Sequence, residues 1–285
     1  MIPDLPPRKL LHHLGVALGV AGIVFVGWKL IVYREQIDLT SVGASGYIAI
    51  LALAIAYGVS DVLLAAGWRE ILNHLGIGCR LGWAVRVYAL SQLAKYVPGN
   101  IFHLVGRQAL GAAAGISHGA LAKSSVAELV VIALCGGLFA PLLLPIYWPN
   151  FGVLLGPLLF AGTVVLSLSL VKMLFGNRIA RSAACYGFFL IMSGVIFVGA
   201  YLLAGGNATA SQMPVIAGAY VLAWLAGLVT PGAPAGIGVR EAVLLFLLAG
   251  FANPPVILLA VVMGRAVTVL GDLGFYLIGG YVDAS

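Results

Sequence analysis

The sequence predicts an all-α polytopic membrane protein, and three observations carry that prediction. Hydrophobic residues make up 62% of the 285-residue chain and charged residues only 8%. A soluble domain carries about 25% charged residues, so this chain lacks the polar residues to cover a water-facing surface. Apolar runs recur from end to end at roughly 20 residues, the length that crosses a bilayer core of ~30 Å. Two of the longer runs are interrupted by Pro-Gly, a pair that removes a backbone donor and loosens the chain.

The elements follow in order. Met1–Lys9 precede a run from Leu10 to Val32. That run is too long for the apolar part of a signal peptide and has no small-residue cleavage site early in it; it is expected to be the first membrane helix. Spans are expected at 10–33, 45–66, 122–147, 151–172, 183–204 and 256–280, about six in all. Regions 82–112 and 212–250 are the interrupted ones. The first breaks at Pro98-Gly99-Asn100, the second between Pro231-Gly232 and Gly236 and Gly238. No stretch is polar enough to form a separate soluble domain, so the whole chain, 1–285, reads as one membrane domain.

Charge placement sets orientation. Arg8 and Lys9 precede the first span; Arg69, Arg80 and Arg86 follow the second; Lys172, Arg178 and Arg181 lie between the fourth and fifth. Stretches 145–152, 205–213 and 250–255 carry no charge. The positive-inside rule places the N-terminus and the loops 67–87 and 172–182 in the cytoplasm, in a multi-pass protein of the plasma (inner) membrane. The net charge of +6 is spread between apolar runs and is not a nucleic-acid signal. Cys79, Cys135 and Cys185 lie far apart, without metal spacing or a disulfide pattern.

Each interrupted region reads either as a re-entrant hairpin or as a kinked spanning helix. If both are hairpins, the order span, hairpin, span occurs twice, over 45–147 and 183–280, in opposite orientations: an inverted-topology repeat. The offsets agree with this. Arg107 follows Pro98 by nine residues and Arg240 follows Pro231 by nine. Irregular backbone at membrane depth survives only where protein buries it or it lines a wet cavity.

Both broken segments resemble signature segments of the lysylphosphatidylglycerol synthase transmembrane region family, also called flippase-like domain proteins. The residues concerned are Lys95-Tyr96-Val97-Pro98-Gly99-Asn100-Ile101-Phe102-His103 and Pro231-Gly232-Ala233-Pro234-Ala235-Gly236-Ile237-Gly238-Val239-Arg240-Glu241. The family's second motif has the form Pro-Gly-Gly-x-Gly-x-Arg-Glu, and Ala233-Pro234-Ala235 makes it longer here. Members often carry Glu-Arg in the span after the first motif; here Glu128 is followed by Leu129. The resemblance covers roughly 10–280. It implies the lipid-translocating module of that family without the aminoacyl-transferase domain, since Ser285 follows the last span directly.

Ionisable groups inside membrane helices cost about 2.5–3.5 kcal/mol each at a helix centre on insertion scales. Arg107 and Arg240 are the leading candidates for substrate binding, because each lies near the start of the helix after its break. A helix N-terminus with an arginine fork suits phosphate, while an arginine snorkelling to the interface is the plainer alternative. Glu241 is expected to neutralise an arginine of the other half or relay a proton. Glu128 is a functional acid or a snorkelling one. Arg265 and Asp272 are seven apart on one helical face, in a structural ion-pair network or at the substrate. Lys95 and His103 flank the first break, and the histidine reads more simply as a hydrogen-bonded packing residue. Asp61, near a span end, is expected at the interface. Gly111-x-x-x-Gly115 is expected to allow close helix packing.

The expected function is a carrier moving an anionic or phosphate-linked lipid between leaflets, with no cofactor, metal or catalytic constellation. Its partners would be the membrane lipid and cell-envelope biosynthetic proteins, not nucleic acid. Alternatives are an ion-coupled carrier of a small solute and an accessory membrane subunit of envelope lipid or glycan synthesis.

Overall fold

The computed structural model describes residues 43–96, 102–148, 154–230 and 236–282. The expected first span, 10–33, and the motif residues Pro98, Gly99, Asn100, Pro231 and Gly232 lie outside the described residues. The described chain is helical, with no strand. In order come α1 (Ala44–His74), α2 (Leu81–Gln92), a 3-10 turn (Leu93–Tyr96), α3 (Phe102–Ala113), α4 (His118–Gly137), a second 3-10 turn (Ala140–Leu143), α5 (Leu144–Tyr147), α6 (Leu155–Leu203), α7 (Met213–Val229), α8 (Val239–Leu247) and α9 (Pro254–Gly279). Four helical stretches are long and apolar enough to cross a membrane: α1, His118–Tyr147, α6 and α9.

Two expected boundaries shift for physical reasons. α1 runs to His74, eight residues past its expected end at 66, because Trp68, Ile71 and Leu72 on its last turns are buried in the core. Glycine then ends it: Gly76 takes φ 82°, and the amides of Gly76 and Ile77 donate to the Asn73 and Leu72 carbonyls, the Schellman arrangement. The expected loop at 172–182 is narrowed to a joint at Gly176, with helical turns on either side of it. At 49 residues, α6 would be about 74 Å long if straight, more than twice the ~30 Å core. Gly176, at φ 84° and ψ 175°, interrupts the helical geometry and breaks the stretch into two limbs, one before and one after it.

The charges around that joint hold it to the end of α1. Glu70, 5% exposed, receives Arg178 and Arg181 at 3.6 and 3.7 Å and Arg69 at 3.3 Å. The two loops expected on one side of the membrane therefore meet at the same end of the molecule.

Each interrupted region doubles back on itself. α2 packs on α3 and α7 packs on α8. A Cβ on Gly106 would lie 3.3 Å from that of Ser91, and Gly227 and Gly236 approach so closely that a Cβ on Gly236 would sit 2.9 Å from the Gly227 Cα. Gly236 also has φ 70°, so only glycine satisfies both the turn and the approach. The order long helix, doubled segment, long helix thus occurs twice: α1, α2–α3, α4, and then the second limb of α6, α7–α8, α9.

α1 and α9 form the centre, with α6 against both. Their crossing is backbone on backbone. A Cβ on Gly58 would meet the Gly271 carbonyl oxygen at 2.6 Å, and one on Gly271 would meet that of Ala54 at 2.7 Å. Small residues let membrane helices approach in this way. Gly111 does the same, its Cβ position lying 2.6 Å from Leu121. Gly115 does not. It sits at φ 84° with nothing within 4 Å, and it ends α3 rather than packing it. The outward faces of α1 and α6 are apolar, with Ile48, Leu51, Ile55, Leu158, Val165 and Leu166 all exposed.

Candidate functional site

Three ion pairs, each with its carboxylate buried, are built from the predicted residues. Arg107 on α3, 3% exposed, lies 2.6 Å from Glu128 on α4. Its guanidinium rests 4.3 Å over the Tyr88 ring, and the Tyr88 hydroxyl donates to the second Glu128 oxygen at 2.8 Å. Glu128 is 3% exposed near the middle of α4, so it does not snorkel. The arginine that Glu128 lacks next to it in sequence comes from α3 instead.

The second pair has the same construction with the charges exchanged. Glu241 on α8 accepts from Arg265 on α9, at 2.7 Å from Nη2 and 3.1 Å from Nε. Its other oxygen accepts from the Gly238 amide at 2.5 Å, closing the first turn of α8 as a capping-box acid does. Gly238 adopts φ 85° to allow it. Glu241 is expected to neutralise an arginine of the other half or relay a proton; its ion-pair partner is instead Arg265 on α9, the helix that follows α8.

The third pair joins the first doubled segment to α9. Lys95, in the 3-10 turn before the first break, lies 2.8 Å from Asp272 on α9. Asp272 is fully buried and also accepts from Gln92 at 3.3 Å and from the Tyr96 hydroxyl. Arg265 and Asp272 share a helical face but serve different partners, because α8 and the 3-10 turn approach α9 at different heights.

Two predicted cavity residues lack such partners. Arg240 has no carboxylate partner among the described residues. Its Nε is buried with no hydrogen-bond partner, Nη1 reaches only the Tyr220 hydroxyl at 3.5 Å, and the like charge of Arg265 acts on it. His103 has a buried Nδ1 with no partner, against the simpler expectation of a hydrogen-bonded packing residue.

A cavity of about 100 Å³ collects these groups. The first doubled segment contributes Lys95, His103 and Arg107; the second contributes Gly236 and Arg240; Glu128 and Arg265 come from the long helices. The remaining wall is largely aromatic and aliphatic, including Tyr57, Phe189 and Trp224. Glu241 and Asp272 stand behind the wall and hold its cations in place.

Asp61 is the residue sequence reasoning misplaced. It is fully buried near the middle of α1, not interfacial, because α1 extends well past its expected end. Neither carboxyl oxygen has a hydrogen-bond partner. The sequence signal was present: a lone acid inside an otherwise apolar run. Among the described residues no group of three or more His, Cys, Asp or Glu side chains is placed to hold a metal ion. No family model, curated protein or solved structure matches the chain.

Proposed function

We propose that this chain is an integral membrane carrier that moves an anionic, phosphate-bearing lipid between leaflets. The observation that carries the reading is Arg240: a guanidinium facing a central cavity, beside a second arginine and without a carboxylate partner among the described residues. A cation in that state is poorly satisfied in a water-poor interior, and a phosphate would supply the missing acceptors in bidentate geometry. Lys95, Arg107 and Arg265 add positive charge to the same wall.

The architecture agrees with this reading. Two doubled segments meeting at a central cavity, each preceded and followed by a long helix, match an inverted-topology carrier in which one segment enters from each side of the membrane. In this reading there are six spans: the one expected at 10–33 together with the four described helical stretches, with α6 counted as two at Gly176. The resemblance of both broken segments to flippase-like domain proteins points the same way. At about 100 Å³ the cavity suits a headgroup, with the acyl chains left along the apolar exterior. A small soluble anion would also fit that volume, and the test separates the two.

Purified protein is reconstituted in liposomes with acyl-labelled NBD-phosphatidylglycerol, and dithionite quenching reports the label in the outer leaflet. Wild type is expected to move the label, Arg240→Lys to retain part of the rate, and Arg240→Ala to lose about tenfold or more, the effect of roughly 1.4 kcal/mol. Equal rates for wild type and Arg240→Ala would remove the arginine from the site. Uptake of radiolabelled phosphate without movement of the lipid would favour the small-anion carrier.

A further inference from the structure

Among the described residues, the charged groups that line the central cavity or stand behind its wall balance. Lys95, Arg107, Arg240 and Arg265 supply four positive charges; Asp61, Glu128, Glu241 and Asp272 supply four negative ones. Glu128, Glu241 and Asp272 are each held by a cation at 2.8 Å or less. Asp61 and Arg240 have no ion-pair partner among the described residues. An empty site with Asp61 ionised is therefore neutral, and a monoanion entering it alone would leave the interior with net negative charge. Net charge in a low-dielectric interior is heavily penalised.

Geometry gives Asp61 a way to hold a proton. The Gly58–Gly271 backbone contact brings α1 and α9 together, and Asp61 lies one turn beyond Gly58 while Asp272 follows Gly271 directly. The charged groups acting on Asp61 are Asp272 from α9 and Lys95 from the 3-10 turn. Among neighbouring phenols, Tyr57 on α1, Tyr88 on α2 and Tyr96 in the turn also lie within its field. From α6 the neighbouring wall is Phe189, in edge contact with Tyr57. Asp272 already accepts from Lys95, Gln92 and Tyr96, and a carboxylate has about four acceptor sites, so one remains for a proton held between the two acids.

We infer that Asp61, paired with Asp272, is a proton-binding site that loads together with the anionic headgroup, making the carrier a proton–anion symporter. With a proton on Asp61 the core carries one positive charge in excess, and a phosphodiester monoanion at Arg240 cancels it. Empty and deprotonated, or doubly loaded, the interior is neutral; the two half-loaded states are charged and disfavoured. Lys95 links the sites, because it lines the cavity and also touches Asp272. An anion that draws Lys95 away leaves Asp272 more dependent on the shared proton. Such coupling is reciprocal: protonation tightens anion binding as much as the anion tightens proton binding.

This inference rests on the lipid-carrier reading, so the test has two arms. In the first, infrared difference spectra of the purified protein are recorded across a pH titration. Wild type is expected to show a carboxylic-acid C=O band that disappears as pH rises and is lost in Asp61→Asn. No such band in wild type, or a band unchanged in Asp61→Asn, would overturn the site. In the second, the liposomes described above carry a pH gradient, acid outside. For one proton per lipid, NBD-phosphatidylglycerol is expected to shift toward the inner leaflet by up to about tenfold per pH unit. Zwitterionic NBD-phosphatidylcholine is expected to show no shift, and Asp61→Asn to abolish it even where the lipid still equilibrates. Wild-type movement indifferent to the pH gradient, or driven by a sodium gradient instead, would overturn the coupling and leave the lipid reading intact. If wild type moves no lipid, the lipid reading fails and the infrared arm alone decides the proton site.

Discussion

Arg107 Nη1 lies 2.6 Å from Glu128 Oε2, with both side chains buried. Removing one member of such a pair leaves an uncompensated buried charge, a loss of about 3–5 kcal/mol in soluble interiors. Arg107→Ala and Glu128→Ala are expected to lower the thermal unfolding midpoint in detergent sharply. The double exchange Arg107→Glu with Glu128→Arg is expected to recover part of the loss, because α8 and α9 already carry the reversed arrangement. Unfolding curves for the singles and the double test it; a double no better than the worse single would refute the pairing.

Gly58 and Gly271 are expected to tolerate no side chain. Gly58→Leu would place Cβ 2.6 Å from the Gly271 carbonyl oxygen, and the first clash partner of Gly271→Ala is also a carbonyl oxygen. Overpacking costs about 1–3 kcal/mol where neighbours can yield, and backbone yields less than a side-chain tip. Gly274, with nothing within 4 Å, is the control, and Gly274→Ala is expected to leave the midpoint unchanged.

Gly238→Ala is expected to destabilise by about 1–3 kcal/mol, because φ 85° is strained for any residue with a Cβ. Its effect should be local. The position of α8 depends on the Gly238 amide reaching Glu241, so proteolysis between α7 and α8 is expected to speed up before global unfolding does.

Cys79 lies between α1 and α2, half-buried. Desolvation pushes its thiol up from the ordinary value, and Arg69 opposes this only in part. The thiolate is the reactive form, so maleimide labelling at neutral pH should be slower than for an exposed cysteine. The rate should rise with pH and keep rising beyond about 8.5, where an ordinary thiol levels off. In a Cys135→Ala, Cys185→Ala background, rates measured across that range check it. A plateau at the ordinary value would show that Cys79 is solvated.

The membrane helices were legible because their signal is a length: an apolar run that fits a bilayer. The positions of the two interruptions were legible through Pro98-Gly99 and Pro231-Gly232, since few other pairs interrupt a helix so strongly, but the sequence left open whether each segment doubles back or only kinks. Depth was harder to read. Asp61 was placed near a span end because hydropathy falls at Arg69 and Glu70, yet α1 continues through them: Glu70 is covered by three arginines, two of them from α6. Lys172, Arg178 and Arg181 looked like a loop for the same reason, since charge density alone does not distinguish a solvated turn from a helical joint. Asp272 was singled out as a residue, but its partner Lys95 lies 177 positions away, and no local pattern encodes that contact.

The Gly58–Gly271 crossing has one more consequence. The contact is mostly backbone, with the Tyr57 ring also lying against Gly271, so few side chains interlock at the point where α1 and α9 cross. In any rotation about the crossing, the points nearest it travel least and the helix ends travel most. Asp61 and Asp272 lie within a turn of it, so the two acids sit at the axle while the far ends of α1 and α9 form the rim, and any turning of α1 against α9 about this point would leave their separation nearly unchanged.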